Sequence, residues 1–183
     1  AEGYAGPILV SEGDSWFQYP FLLEDVVDVV LERYAVYSLG AAGDLLERMA
    51  DKREYIDALA DTGAEILMFS GGGNDLVAGG ALADHLEAYD PALKPGDYLR
   101  PSFQAILDNA FAQYERIFRQ VRGRFPHVTV LCHGYDYPIP KGGRWLGRPM
   151  ESRGVNEAAL QKAIAAEMID LFNRGLRRLA RRM

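Results

Sequence analysis

The 183-residue chain has one cysteine, Cys132. A single thiol excludes an intrachain disulfide and any zinc site built on several cysteines. Histidine is nearly as scarce: His85, His127 and His133, with none in the last 50 residues. No apolar run approaches the roughly 18 residues of a membrane-spanning helix. The opening AEGYAGPILV has neither a charged leader nor a long apolar stretch, so no signal peptide is expected, and cytoplasm or export after cleavage both stay open. Acids are absent after Asp170, where Arg174, Arg177, Arg178, Arg181 and Arg182 follow. The preceding residues carry 15 basic and 26 acidic side chains. An acidic body disfavours nucleic acid as a partner, because phosphate contacts need a basic surface. The terminal arginines suit the end of a helix, whose dipole they oppose. No GxxxxGK[ST] or GxGxxG pattern is present, which argues against a nucleotide or flavin site.

What is present is ordinary for a globular chain: 49% hydrophobic and 25% charged residues. With no repeat, low-complexity tract or linker, residues 1–183 read as one domain. Short apolar runs alternate with helix-length amphipathic stretches. Strands are expected at Ile8–Ser11, Tyr34–Leu39, Ile66–Ser70 and Val128–Cys132. A helix is expected over 21–33, with Leu22, Leu23, Val26, Val27 and Val30 on one face. A second is expected from an Asp44 N-cap through Leu59, and a short one over 81–88. Ser102 can cap a helix through Val121, and Asn156 one through Leu179. Residues 134–154, rich in Gly and Pro, read as an extended loop.

Strands alternating with helices predict βαβ units and an open parallel sheet. The last helix is followed by no fifth strand, although a crossover helix normally returns the chain to the sheet. The sequence therefore reads as C-terminally incomplete. An unpaired fourth strand is a sheet edge, which leads us to expect self-association through it.

Ligands of such sheets bind outside the carboxyl ends of the strands. The four segments there are Glu12-Gly13-Asp14-Ser15-Trp16, Gly40-Ala41-Ala42-Gly43-Asp44, Gly71-Gly72-Gly73-Asn74-Asp75 and His133-Gly134-Tyr135-Asp136. A serine after a glycine turn presents its hydroxyl near backbone N–H groups, which favour developing negative charge. A glycine in a second loop lets its own N–H approach an oxyanion. An asparagine in a third offers an N–H₂ donor. Together these are a nucleophile and oxyanion donors, the parts needed for acyl transfer. Singly they are weak: Gly-Asp-Ser occurs in many turns, Gly43-Asp44 suits a helix cap, and Asp14 and Asp75 suit loop-shaping bonds to backbone.

In this order after three successive strands, Gly13-Asp14-Ser15, Gly43 and Gly72-Gly73-Asn74-Asp75 resemble the first three blocks of the SGNH (GDSL-type) hydrolases. The resemblance covers roughly residues 7–135. It implies a flavodoxin-like three-layer α/β/α sandwich with a parallel sheet of order 2-1-3-4, the fifth strand absent. It implies Ser15 as nucleophile, and the Ser15 N–H, the Gly43 N–H and the Asn74 side chain as the oxyanion hole. It implies hydrolysis of esters or acetylated carbohydrates, small molecules in either case, with no metal or cofactor.

The family's fourth block, Asp-x-x-His, supplies the general base, and nothing in this sequence matches it. The fifth strand and the base are one gap, so the chain as it stands is expected to be an inactive form of a serine hydrolase. A serine needs a base within hydrogen-bond reach. His127 precedes strand four, at the wrong edge. His85 reads as solvated on a short helix. His133 is at the correct edge, as a substrate-side residue or a substitute base. Trp16, Phe17, Tyr19 and Tyr135 are candidate pocket borders, with Tyr137 and Trp145 in a loop long enough to act as a lid. A non-catalytic small-molecule or carbohydrate binding module on the same fold is the competing reading.

Overall fold

The computed structural model describes residues 6–18 and 24–183. They form two compact units that share the chain alternately. One runs to Gly72 and resumes at Gln113–His133; the other comprises Gly73–Ala112 and Gly134–Met183.

The first unit holds four parallel strands: β1 (Ile8–Gly13), β2 (Ala35–Ser38), β3 (Ile66–Ser70) and β4 (Thr129–Cys132). Their order is β2-β1-β3-β4, as the resemblance implies. The register pairs Val10 with Leu67 and Glu12 with Phe69, so these four share a face. Strand β3 reads ILMFS, the apolar run expected of a strand buried on both faces. Phe69 is fully buried among the rings of Tyr55, Tyr114 and Phe118, at centroid distances of 6.5, 5.3 and 6.4 Å. All three meet it edge-on, the arrangement that ring quadrupoles favour.

Those rings come from α3 (Glu54–Thr62) and from the second half of α5 (Pro101–Arg124). Tyr114, Ile117, Phe118 and Val121 are buried at the three-and-four spacing of one helix face. The Tyr55 hydroxyl donates to the Gln120 side chain, which gives this buried phenol a partner. Burial pushes the Tyr55 pKa up to about 12.

Several helix boundaries differ from expectation. Helix α1 spans Val26–Leu31, its cap being Asp25, whose carboxylate accepts from the N–H groups of Val27 and Asp28. Leu22, Leu23 and Tyr19 lie outside the described residues. The helix expected from Asp44 to Leu59 is two helices, α2 (Leu46–Lys52) and α3, broken at Arg53 in the left-handed region (φ 59°). The cap position of α2 is Leu45, without a side-chain cap bond. Asp44 instead pairs with Arg48 at 3.2 Å.

The second unit is built on helices. Helix α4 is short (Gly73–Leu76). Residues 81–88 form no α-helix: 3₁₀ turns at Ala78–Gly80 and Leu82–His85 replace it, in a segment interrupted by Gly79 and Gly80. Leu86 and Leu99 form an antiparallel bridge, closed by the Arg100–Glu87 ion pair at 3.2 Å. Helix α5 starts at Pro101, whose missing N–H costs nothing in the first turn. Ser102 is therefore inside the helix, and its hydroxyl meets His85 Nδ1 at 3.0 Å. The loop expected over 134–154 contains α6 (Gly147–Ser152). Helix α7 spans Ala158–Ala180, with Glu157, not Asn156, at the cap position. The first half of α5 and α7 meet through Phe111 and Phe172, stacked at 5.7 Å.

Candidate functional site

The Gly13-Asp14-Ser15 turn follows β1 directly. Asp14 is buried and shapes the turn: its carboxylate accepts from the Trp16 N–H at 3.1 Å and from the Ser70 hydroxyl at 3.4 Å. Its carbonyl accepts from the Phe17 N–H at 3.0 Å. Asp14 thus does the loop-shaping work read from the sequence and ties the end of β1 to the end of β3. Ser15 is half-buried at the apex of this turn.

The loop after β2 is stitched to the same place. The Leu39 N–H donates to the Ser11 carbonyl and the Ala41 N–H to the Gly13 carbonyl, both at 2.8 Å. The chain then turns through Gly43 (φ 89°), a conformation L side chains rarely adopt. The Gly43 loop and the Ser15 turn are thereby neighbours by backbone hydrogen bonds.

His133 follows β4 and brings a third segment to them. Its ring lies 6.2 Å from that of Trp16 and 5.6 Å from that of Phe17. Phe17 is buried and Trp16 is 47% exposed. The first unit therefore collects Ser15, Trp16, Gly43 and His133 at the carboxyl ends of its strands. His127 is exposed beside Phe125, ahead of β4.

One neighbour was not expected. Glu12 is the penultimate residue of an otherwise uncharged strand, ILVSEG, and is 2% exposed. Burial raises its pKa to about 8, helped by the negative charges of Glu54 and Asp44; the Gly13 N–H and Lys52 act the other way. The sequence signal was available: a lone acid in an apolar strand.

Asn74 and Tyr135 belong to the second unit. Asn74 lies in α4, which begins three residues after β3 ends. The Gly73 N–H donates to the Tyr135 hydroxyl at 3.0 Å. Tyr135 is buried, 8% exposed, and its backbone is held on both sides by the Asn173 amide. Asn173 went unread in the sequence, although an asparagine in the middle of a 23-residue helix is a weak helix former and a signal in itself. Tyr137 is exposed and donates to Asp170 at 2.9 Å; that bond raises its pKa. Trp145 carries Arg144 over its ring at 4.2 Å.

Among the described residues no group of three His, Cys, Asp or Glu side chains could hold a metal ion. No described helix is long and apolar enough to cross a membrane.

No family model matches the chain, and no curated protein does. Solved structures do. Phospholipase A1 from Streptomyces albidoflavus NA297 matches with a TM-score of 0.56 at 14% identity, over 97% of this chain and 77% of that one. A protein from Parabacteroides merdae ATCC 43184, described as a GDSL-like lipase, matches with a TM-score of 0.51 at 13% identity, over 96% and 73%. The chain has the α/β fold of the SGNH hydrolases, with strand order 2-1-3-4. Identity at this level carries the fold and leaves the chemistry to be argued from the residues.

Proposed function

We propose that this protein is a serine acyl hydrolase acting on esters or acetylated carbohydrates. The observation that carries the reading is the stitched pair of loops at the end of β1: Ser15 at the apex of one and Gly43 in the other, joined through the Ala41–Gly13 hydrogen bond. Ser15 Oγ attacks the ester carbonyl carbon. The N–H groups of Ser15 and Gly43 and the Asn74 side chain donate to the oxyanion as its charge develops. The carbon–oxygen bond to the alcohol then breaks, and the alcohol leaves with the proton taken from Ser15. Water cleaves the acyl-serine, yielding the acid and restoring the hydroxyl. Trp16 and His133 form one wall for the substrate.

These residues contain no Asp-x-x-His block, and His133 is the one histidine at the end of the strands that carries Ser15. The unassisted reactivity of Ser15 is therefore low, and an added base restores it. The test is hydrolysis of p-nitrophenyl acetate in imidazole buffer, with the protein-free rate subtracted. Ser15→Ala abolishes the protein-dependent rate, and Asn74→Ala lowers it by about 10²–10³, the usual worth of one oxyanion donor. Full activity in Ser15→Ala sinks the proposal; no protein-dependent rate in the native chain, with binding of an acetylated sugar and no turnover, favours the binding-module reading instead.

A further inference from the structure

Asn173 and Tyr135 are tied to the segment that carries Asn74 by contacts the reaction scheme above does not use. The Asn173 side chain projects from α7 onto one backbone stretch. Its Nδ2 donates to the Tyr135 carbonyl at 2.8 Å, and its Oδ1 accepts from the Tyr135 N–H at 3.0 Å. An amide that pairs both polar groups of one residue acts like a neighbouring strand and leaves that residue little freedom. The approach is close enough that a Cβ at position 134 would overlap the Asn173 amide, which accounts for Gly134. The Tyr135 ring is fixed as well. It stands 5.5 Å from Phe172, the next residue along α7, which is stacked in turn on Phe111.

What this fixed phenol does is accept the Gly73 N–H at 3.0 Å. Gly73 is the first residue of α4, a helix of four residues. A single turn does not hold itself, because nucleation is costly and its first N–H groups have no acceptor within the helix. Three consecutive glycines before Asn74 add backbone freedom. The Tyr135 hydroxyl supplies an acceptor from outside, on the Gly72–Gly73 peptide one residue ahead of Asn74.

We propose that Asn173 and Tyr135 are positioning residues for Asn74: the Asn173 amide fixes the Tyr135 backbone, and the Tyr135 hydroxyl holds the Gly73 N–H, at the residue just ahead of the oxyanion donor. This rests on the reading of Asn74 as that donor. A donor gives its full effect only when it is held where the charge will develop, so loosening it costs part of what deleting it costs.

The experiment is a double-mutant cycle on Ser15 phosphonylation by an alkyl fluorophosphonate in imidazole buffer, which separates the maximal rate kinact from the binding constant KI. Tyr135→Phe keeps the ring on Phe172 and removes only the acceptor. We expect kinact to fall about 10-fold with KI unchanged within about 2-fold. In the Asn74→Ala background the same substitution changes kinact by less than about 2-fold, because the residue it acts through is gone. Asn173→Asp, which keeps the acceptor for the Tyr135 N–H and loses the donor, gives the same pattern and serves if Tyr135→Phe does not fold. An unchanged kinact in these variants overturns the inference. So does an equal loss with and without Asn74, the mark of a merely structural role. If Ser15→Ala retains the adduct, or Asn74→Ala leaves kinact intact, the underlying reading has failed and the inference falls with it.

Discussion

Glu12 is the residue on which burial and charge conflict most. It is almost fully buried at the end of β1, beside the like charges of Glu54 and Asp44, and titrates near pH 8 where a free glutamate has 4.5. Between these values the folded chain holds a proton that the unfolded chain has released. Stability therefore falls as pH rises through that window, and the group's contribution is fully present below 4.5. Above pH 8 a buried carboxylate must be carried, at a cost on the order of a few kcal/mol. Glu12→Gln keeps the shape without the charge. We predict that it flattens the decline between pH 5 and pH 8 and is the more stable protein by roughly 2–5 kcal/mol at pH 9. Urea midpoints at pH 5, 7 and 9 check this; parallel profiles for the two proteins would contradict it. At this scale the sequence was partly legible. Ser15, Gly43 and Asn74 stood out because each is a small or polar residue placed after an apolar run. Glu12 and Asn173 were passed over because their significance lies in what surrounds them, and burial is not written in a single residue.

The elements divide the same way. Strand β3 matches its expected bounds, Ile66–Ser70, because a strand buried on both faces leaves an uninterrupted apolar run. The break between α2 and α3 left no mark: the stretch from Leu45 to Leu59 contains neither glycine nor proline. The chain turns there by placing Arg53 in the left-handed region, which costs an L residue about 1–2 kcal/mol. Arg53→Gly removes that strain and gives back part of the gain through the freer unfolded chain. We expect a net gain of about 0.5–1 kcal/mol, or roughly 1–4 °C in Tm for a chain of this size. A lower Tm would show that the Arg53 side chain contributes more than its backbone costs. Helix α6 was hidden for the opposite reason: Gly147 and Pro149 lie in a helix where composition signalled a loop.

For the whole molecule the sheet's edges matter most. The described sheet ends on β2 and β4, with Tyr37 and Leu131 each 50% exposed. An edge strand presents unpaired backbone groups and invites another strand. We propose that the β4 edge pairs with a second copy of the chain at high concentration. Leu131→Lys, a charge on that edge, then lowers the mass seen by light scattering toward that of one chain; a native chain already monomeric at millimolar concentration would contradict this. Strand order came from the family resemblance; the alternation of strands and helices predicts a parallel sheet and leaves its order open. The two compact units share the chain without a linker, and helix α5 supplies residues to both.

The central claim is that Ser15 is a nucleophile with oxyanion donors around it. Intact-mass spectrometry of the 183-residue chain after treatment with a fluorophosphonate, with and without imidazole, tests it most directly when the adduct is mapped by peptide. The account predicts one adduct, on Ser15, slow without imidazole and accelerated by it. An unmodified Ser15 in both conditions, or an adduct on another residue, would contradict it.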